Sequence, residues 1–527
     1  MLHQVLIGGE WKDTGRSSGT FKAINPATGE FLLGEFPISP WPDIVEALGA
    51  GVQAAEEMAG LGPERLADYL EGFAETVEGR RADLVTMASL ETALPAEPRL
   101  NSVEFPRMVD QIRQAAAACR ERSWCRATID TKLNIRSKFG PLGGPVVVFS
   151  PNNFPFAFNS VGGGDFVAAL AAGNPVIAKA NPGHPGTSKI LAEAATEALI
   201  QSPLPPAAIQ LLYHFQPEDG LRLVSHASVG ATAFTGSRRA GLKLKEAADR
   251  AGKPIYLEMS SSNPVFILPG ALEERASAIA GELFTSCTLG AGQFCTKPGL
   301  VALIDNEKGR EFLAAVKASF AQAEPGILLD SRVIEGLQAA VLKLKECGAE
   351  LVAGGGRAGG AGFRFAVTLL RVSGAVFLKN PGAFQVEAFG SLSVVVTAHD
   401  LAELKAVAAC LDGQLTATAY SSAGSADDAA YAAIEPILRQ KAGRLLNDKM
   451  PTGVAVSPAM NHGGPFPATG HPGFTSVGIP SAITRFAALH CYDNVRAGRL
   501  PAELRDKNPT GRMWRFIDGE WTRQDCR

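Results

Sequence analysis

One thiol in this sequence sits where nucleophilic chemistry is easy to support. Cys295 lies in Gly290-Ala291-Gly292-Gln293-Phe294-Cys295-Thr296-Lys297-Pro298, a glycine-loosened loop between a predicted helix and a predicted strand over 300–304. Loops at the ends of α/β strands commonly present reactive groups from a rigid scaffold. The alternative is a buried loop thiol, and Cys287, on the preceding helix, reads as such a core filler. Glu258 closes a predicted strand in Tyr256-Leu257-Glu258-Met259, where a carboxylate can reach a cleft as general base; alone, it could equally be a solvated surface acid. Asn153, in Ser150-Pro151-Asn152-Asn153-Phe154-Pro155-Phe156, offers an amide donor to an oxyanion, although Asn before a Phe-Pro turn is also plain turn chemistry.

Two glycine patterns compete for a nucleotide. Gly354-Gly355-Gly356-Arg357-Ala358-Gly359 has dinucleotide-binding spacing, but a predicted strand over 363–368 follows it where a helix is required, so it reads as a hairpin loop. The second pattern has the right context. A predicted strand over 231–234 runs into Thr235-Gly236-Ser237-Arg238-Arg239-Ala240-Gly241 and then a helix. Gly236, Ser237 and Gly241 thus place backbone N–H groups and a positive helix end where a pyrophosphate could sit, or else form an ordinary strand-to-helix turn.

The elements that must position these residues follow from periodicity. Residues 42–122 carry helical spacing, and 127–139 alternates polar and apolar residues as an exposed ribbon, the kind that pairs with another subunit. From Pro145 onward, short apolar runs alternate with helical stretches, which predicts two tandem α/β units with parallel sheets. The last sixty residues, rich in Gly and Pro, read as an extended tail lying against another surface. At 527 residues the chain can bury a large core, and 50 basic against 53 acidic residues remove the electrostatic motive for nucleic acid or anionic membranes. Neither a membrane span nor a signal peptide is legible, so a cytoplasmic location is expected. The eight cysteines form no Cys-x-x-Cys and no zinc spacing, so neither a disulfide framework nor a metal is expected.

Taken together, Asn153-Phe154-Pro155, Phe234-Thr235-Gly236-Ser237, Leu257-Glu258-Met259, Gly292-Gln293-Phe294-Cys295-Thr296 and Glu387-Ala388-Phe389-Gly390 follow the order and spacing of the aldehyde dehydrogenase superfamily. The resemblance begins at Ile7-Gly8-Gly9-Glu10-Trp11 and covers nearly the whole chain. His184-Pro185-Gly186-Thr187-Ser188, Met259-Ser260-Ser261-Ser262-Asn263-Pro264 and Phe474-Thr475-Ser476-Val477-Gly478 resemble the bacterial branch of α-ketoglutaric semialdehyde (2,5-dioxopentanoate) and NADP-dependent fatty aldehyde dehydrogenases.

The resemblance implies an α/β fold with a Rossmann-type cofactor domain over 1–122 and 139–257, a catalytic α/β domain over 258–467, and an oligomerisation ribbon and tail over 123–138 and 468–527. It implies aldehyde oxidation to a carboxylic acid with NADP or NAD and no metal, in a homodimer or homotetramer. Cys295 is then the nucleophile, Glu258 the base that activates water, and Asn153 an oxyanion donor. Lys179 and Ser237 are cofactor contacts at the ribose and pyrophosphate, and Glu387 with Phe389 clamps the nicotinamide ribose. Pro182 stands where NAD-preferring relatives carry Glu, so NADP is favoured, with Arg222 as candidate phosphate partner. Phe154, Ala157, Phe158 and Val161 are expected to wall the substrate tunnel, with His462 at its mouth. A carboxylate-bearing substrate needs a basic partner, for which Arg107 and Arg99 are candidates. α-Ketoglutaric semialdehyde ranks first, ahead of medium-chain or aromatic aldehydes. A cysteine thioesterase and a non-catalytic homo-oligomeric binding protein are the rival classes.

Overall fold

The computed structural model describes residues 1–14 and 18–526. Among them, a helical layer of Trp41–Ala59, Pro63–Gly79, Arg81–Thr92 and Phe105–Glu121 precedes the first large sheet. That sheet runs in the order Ile255–Glu258, Ala231–Thr235, Val146–Phe149, Val176–Lys179, Ile209–Leu212, Val5–Ile7, Glu10–Lys12. The first five of these strands are parallel, and the N-terminal hairpin closes one edge antiparallel. Their continuous Val, Ile, Leu and Ala content is what a sheet covered on both faces requires. Chain order reverses beside Val146–Phe149: the strands at 176–179 and 209–212 lie on one side, those at 231–235 and 255–258 on the other. Connections departing in opposite directions leave a crevice above the carboxyl ends at that point.

The second sheet runs Glu350–Ala353, Thr368–Ser373, Leu392–Ala398, Leu300–Ile304, Val265–Ile267, Gln414–Tyr420, Ala442–Asn447, parallel except at its first strand. The Gly354–Gly359 stretch joins the antiparallel pair at 350–353 and 368–373, with no helix after it, as a hairpin loop does. The strand expected over 363–368 starts only at Thr368.

The C-terminal segment corrects the expectation of an extended tail. Ala487–Asp493 pairs antiparallel with Ile135–Pro141, and Arg515–Ile517 lies parallel to Thr128–Asp130 while forming a hairpin with Glu520–Thr522. The alternating 127–139 ribbon carries backbone donors and acceptors that need partners, and the same chain supplies them. Gly and Pro around 462–480 mask this from the sequence, because they mark the irregular crossing before those strands rather than the strands themselves. No helix among the described residues is long and apolar enough to cross a membrane.

Candidate active site

The crevice at the switch point of the first sheet opens into a cleft of about 560 Å³. Asn153, Lys179, Ser237, Glu258, Cys295, Glu387 and Phe389, drawn from segments far apart in sequence, all line it.

Glu258 ends the edge strand Ile255–Glu258 and is clamped from both sides. Its carbonyl accepts from Gly236 N at 3.1 Å, and the next residue, Met259, donates its N–H to Ala468 O at 2.8 Å. The fully buried carboxylate accepts from His462 Nε2 at 2.8 Å and from Ser476 Oγ at 2.9 Å. Burial alone would raise its pKa; His462, then Ser476 and Cys295, more than offset this and hold it below the ordinary glutamate value.

Cys295 Sγ lies 3.3 Å from the same nitrogen, His462 Nε2. The protein packed around the thiol pushes its pKa well above the ordinary value, and the Glu258 and Glu387 carboxylates add to the shift. The resting pair is therefore a thiol beside an ionised carboxylate. An ionised carboxylate only accepts, so Nε2 carries a hydrogen that points to Glu258, and that nitrogen cannot at the same time accept the thiol proton. Glu258 is the proton acceptor in reach of Cys295, and His462 holds it there.

The Cys295 loop owes its path to two features. Gly292 takes φ +70°, and a Cβ there would lie 2.3 Å from the Gly390 carbonyl carbon, so only glycine lets this loop cross the one carrying Glu387 and Phe389. Asn263, itself at φ +47°, donates through Nδ2 to the carbonyls of Cys295 at 2.8 Å and Lys297 at 3.0 Å. Asn153 donates through Nδ2 to Gln293 O at 2.9 Å, which leaves its second amide hydrogen for the cleft.

At the far end of the cleft, Gly236 and Ser237 turn the chain from Ala231–Thr235 into the helix Arg238–Arg250, with Ser237 Oγ accepting from Ala240 N at 3.4 Å. A Cβ on Gly241 would meet Met259 Sδ at 3.0 Å, so this glycine lets helix and strand approach closely. Lys179 is brought down to about 7 by burial, with Arg332 adding repulsion, a state that an anion beside it would reverse. A cleft at the switch point, a helix N-terminus on its wall and a desolvated lysine fit a dinucleotide phosphate chain. Glu387, raised by burial despite a hydrogen bond from Ser260, lines the other end near Cys295.

Several expected residues are placed differently. His462 does not sit at a tunnel mouth: it is buried between Cys295 and Glu258. Arg222 stacks on Trp41 at 3.8 Å and pairs with Asp219 at 3.2 Å, away from the residues lining the cleft, because its helix turns that face to Trp41. Arg239 and Arg332 line the cleft in its stead, the latter held by Asp330 at 2.6 Å. Val161 joins the large core of the first domain, whereas Phe154, Ala157 and Phe158 cluster with Phe294 and Val477 beside the cysteine loop. Val161 follows the Asn159-Ser160 turn, and that turn directs it inward.

Arg99 and Arg107 both lie over the aromatic wall, Arg99 at 4.5 Å from Phe154 and 5.2 Å from Phe294, but they differ in their polar partners. Arg99 forms a buried ion pair with Glu104 and donates to Asn153 O at 3.1 Å, while Glu104 accepts from the N–H groups of Phe156 at 2.9 Å and Ala157 at 3.0 Å. Its work is to shape the Asn153 loop. Arg107 lies over the rings of Phe154 and Phe158, at 5.7 and 5.3 Å, and its Nε donates to Gln111 at 3.3 Å. Among the described residues its buried Nη2 has no hydrogen-bond partner, and its charge is within electrostatic reach of Cys295.

Sequence reasoning missed His462 as a partner of Glu258, and it missed Ser476, Asn263, Arg239 and Arg332. Arg239 lay inside the Gly236-to-Gly241 turn already singled out. Asn263 and Ser476 lie inside the 259–264 and 474–478 motifs, to whose residues the resemblance assigns no individual role, and Arg332 carries no local signal.

A doubly wound cofactor sheet, a second α/β sheet carrying a cysteine loop, and a carboxylate facing that cysteine define a covalent, dinucleotide-using oxidoreductase. The chain belongs to the aldehyde dehydrogenase family, whose family model matches residues 11–456, and is an NAD(P)-dependent aldehyde dehydrogenase. It is 38% identical over 529 residues to alpha-ketoglutaric semialdehyde dehydrogenase 2 of Azospirillum brasilense, covering 98% of this chain and 99% of that one. It is 36% identical to alpha-ketoglutaric semialdehyde dehydrogenase of Acinetobacter baylyi over 91% of each chain. Among solved structures, a mutant of aldehyde dehydrogenase C from Pseudomonas syringae, complexed with NAD+ and octanal, matches with a TM-score of 0.80 at 20% identity, over 94% of this chain and 98% of that one.

Proposed function

We propose that the enzyme oxidises α-ketoglutaric semialdehyde, or a close ω-oxo acid, to the dicarboxylate. The observation that carries this reading is the buried, partnerless Nη2 of Arg107 beside an otherwise aromatic wall at the cysteine. An unpaired buried guanidinium hydrogen is costly, and a substrate carboxylate would satisfy it through a charge-assisted bond. The names of the two relatives given above point the same way. An octanal-like or aromatic chain would pack against Phe154 and Phe158 yet leave Arg107 unpaired.

Cys295 Sγ attacks the aldehyde carbon, forming the C–S bond as the thiol proton passes to Glu258. The oxygen of the resulting thiohemiacetal faces the free amide hydrogen of Asn153 and the backbone N–H of Cys295. Lys179, Gly236, Ser237, Glu387 and Phe389 would hold NAD(P), which would supply the hydride acceptor needed for the adduct to become a thioester. Glu258 returns its proton to the cleft, then takes one from the water that attacks the thioester, releasing the acid and the Cys295 thiol. Ser476 and His462 keep Glu258 ionised for both transfers. Gly241 serves the packing of the phosphate-facing helix.

NADP is favoured with NAD also accepted: Pro182 brings no carboxylate to repel a 2′-phosphate, and Arg239 and Arg332 are the cations on the cleft wall. A homodimer or homotetramer in the cytoplasm is part of the same reading, joined through the sheet that ends at Ala487–Asp493.

The test is cofactor reduction by purified enzyme with NADP or NAD, offered α-ketoglutaric semialdehyde, succinic semialdehyde, hexanal and benzaldehyde. A kcat/KM for the five-carbon oxo acid far above that for hexanal supports the assignment, and hexanal or benzaldehyde leading would overturn it.

A further inference from the structure

Besides serving the reaction, Cys295, His462 and Glu258 offer one sulfur, one imidazole nitrogen and one carboxylate oxygen that lie within 4.8 Å of one another. The individual spacings are 3.3 Å from Cys295 Sγ to His462 Nε2 and 2.8 Å from His462 Nε2 to Glu258 Oε1. Around tetrahedral zinc, bonds of ~2.3 Å to sulfur and ~2.0–2.1 Å to nitrogen or oxygen put neighbouring donor atoms about 3.3–3.6 Å apart. The sulfur-to-nitrogen spacing thus matches an edge of such a tetrahedron, and the nitrogen-to-oxygen spacing, now a hydrogen bond, would open by about half an ångström when an ion replaces the shared hydrogen. Their anchoring is rigid: Glu258 by the edge strand and by Ser476, Cys295 by Asn263, and His462 by its N–H donating to Thr475 Oγ1 at 2.9 Å. Ser476 on the free carboxylate oxygen supplies the outer contact that orients a metal-ligating carboxylate. Cys295 and Glu258 face the cleft, so a fourth position opens to water.

The geometry points to a reversible inhibitory site for a borderline-soft divalent cation of the zinc class, bound by Cys295 Sγ, His462 Nε2 and Glu258 Oε1. A thiolate with an imidazole selects such ions over magnesium or calcium. On binding, the thiol proton leaves to solvent, the His462 hydrogen moves from Nε2 to Nδ1, and no redox change occurs. The bound ion occupies both the nucleophile and the base, so turnover stops; chelation restores it. The metal has no part in the oxidation, and the inference rests on these three side chains rather than on the choice of aldehyde.

The probe is Co2+ added alone to the chelator-treated wild-type enzyme, followed by Zn2+. Expected are a cobalt–thiolate charge-transfer band at one ion per chain, its loss on adding Zn2+, and Zn2+ inhibition reversed by EDTA. In Cys295→Ser the band disappears. In His462→Asn the metal concentration for half-saturation rises at least ~10-fold, the least that losing a ligand should cost when outer contacts alone are worth that much. Glu258→Gln gives a second reading should His462→Asn fail to fold. No thiolate band in the wild type would overturn the proposal. So would equal metal affinity in the histidine or glutamate variant, which would mean that the thiol alone takes the ion.

Discussion

A single nitrogen, His462 Nε2, lies 2.8 Å from the Glu258 carboxylate and 3.3 Å from the Cys295 sulfur. Because one ring atom serves both contacts, the histidine cannot relay a proton from thiol to carboxylate through its two nitrogens as a hydrolase triad does. Its effect is exerted on Glu258, which it holds as a carboxylate in a site whose burial favours the neutral acid.

The pH profile should show this. The carboxylate is present above the folded pKa of Glu258 and lost as pH falls through it, so the lowered value places the acid limb of kcat at low pH. His462→Gln removes the strongest influence opposing burial and should move that limb upward. Ser476→Ala should move it the same way by less. An unmoved acid limb in His462→Gln would show that Glu258 does not depend on the histidine.

Substrate discrimination should fall on Arg107. Arg107→Leu should raise KM for α-ketoglutaric semialdehyde by ~10–100-fold, the worth of a charge-assisted bond of about 1.5–3 kcal/mol, and leave hexanal within about twofold. Steady-state kinetics on both aldehydes measures it. Equal losses on both would mean that Arg107 only braces Phe154 and Phe158.

The loop crossing at Gly292 gives a stability prediction. Gly292→Ala puts a side chain at φ +70° and 2.3 Å from the Gly390 carbonyl carbon. Strain of this type costs ~1–3 kcal/mol before the clash is counted. Thermal melting should show a lower Tm, with cofactor binding weakened through Glu387 and Phe389. A variant with unchanged Tm would show that the two loops can part freely.

The sequence discloses those parts of the site that are built locally. Cys295 stands in its own glycine loop, Glu258 at a strand end, and Gly236, Ser237 and Gly241 in one strand-to-helix turn, so residue type and neighbours are enough. The two parallel sheets are legible for the same reason, since alternation of apolar runs and helices is a local pattern. His462 and Ser476 lie 204 and 218 positions beyond Glu258, in a Gly- and Pro-rich crossing with no periodicity, and only the closure of that segment over the strand end brings them in. Arg222 misleads for the converse reason: sequence nearness says nothing of which face of a short helix meets Trp41. The strands Ala487–Asp493 and Arg515–Ile517 are hidden because each pairs with a strand more than 340 residues earlier.

On the proposed mechanism, Cys295 carries the substrate as a thioester that Glu258 must release. Rapid mixing of enzyme, cofactor and α-ketoglutaric semialdehyde, followed through the absorbance of reduced cofactor, tests this directly. Glu258→Gln, which removes the acceptor for both proton transfers, should slow the first round of cofactor reduction as well as steady turnover, each by ~100-fold or more, and Cys295→Ser should give neither. Sustained wild-type turnover in either variant would contradict the account.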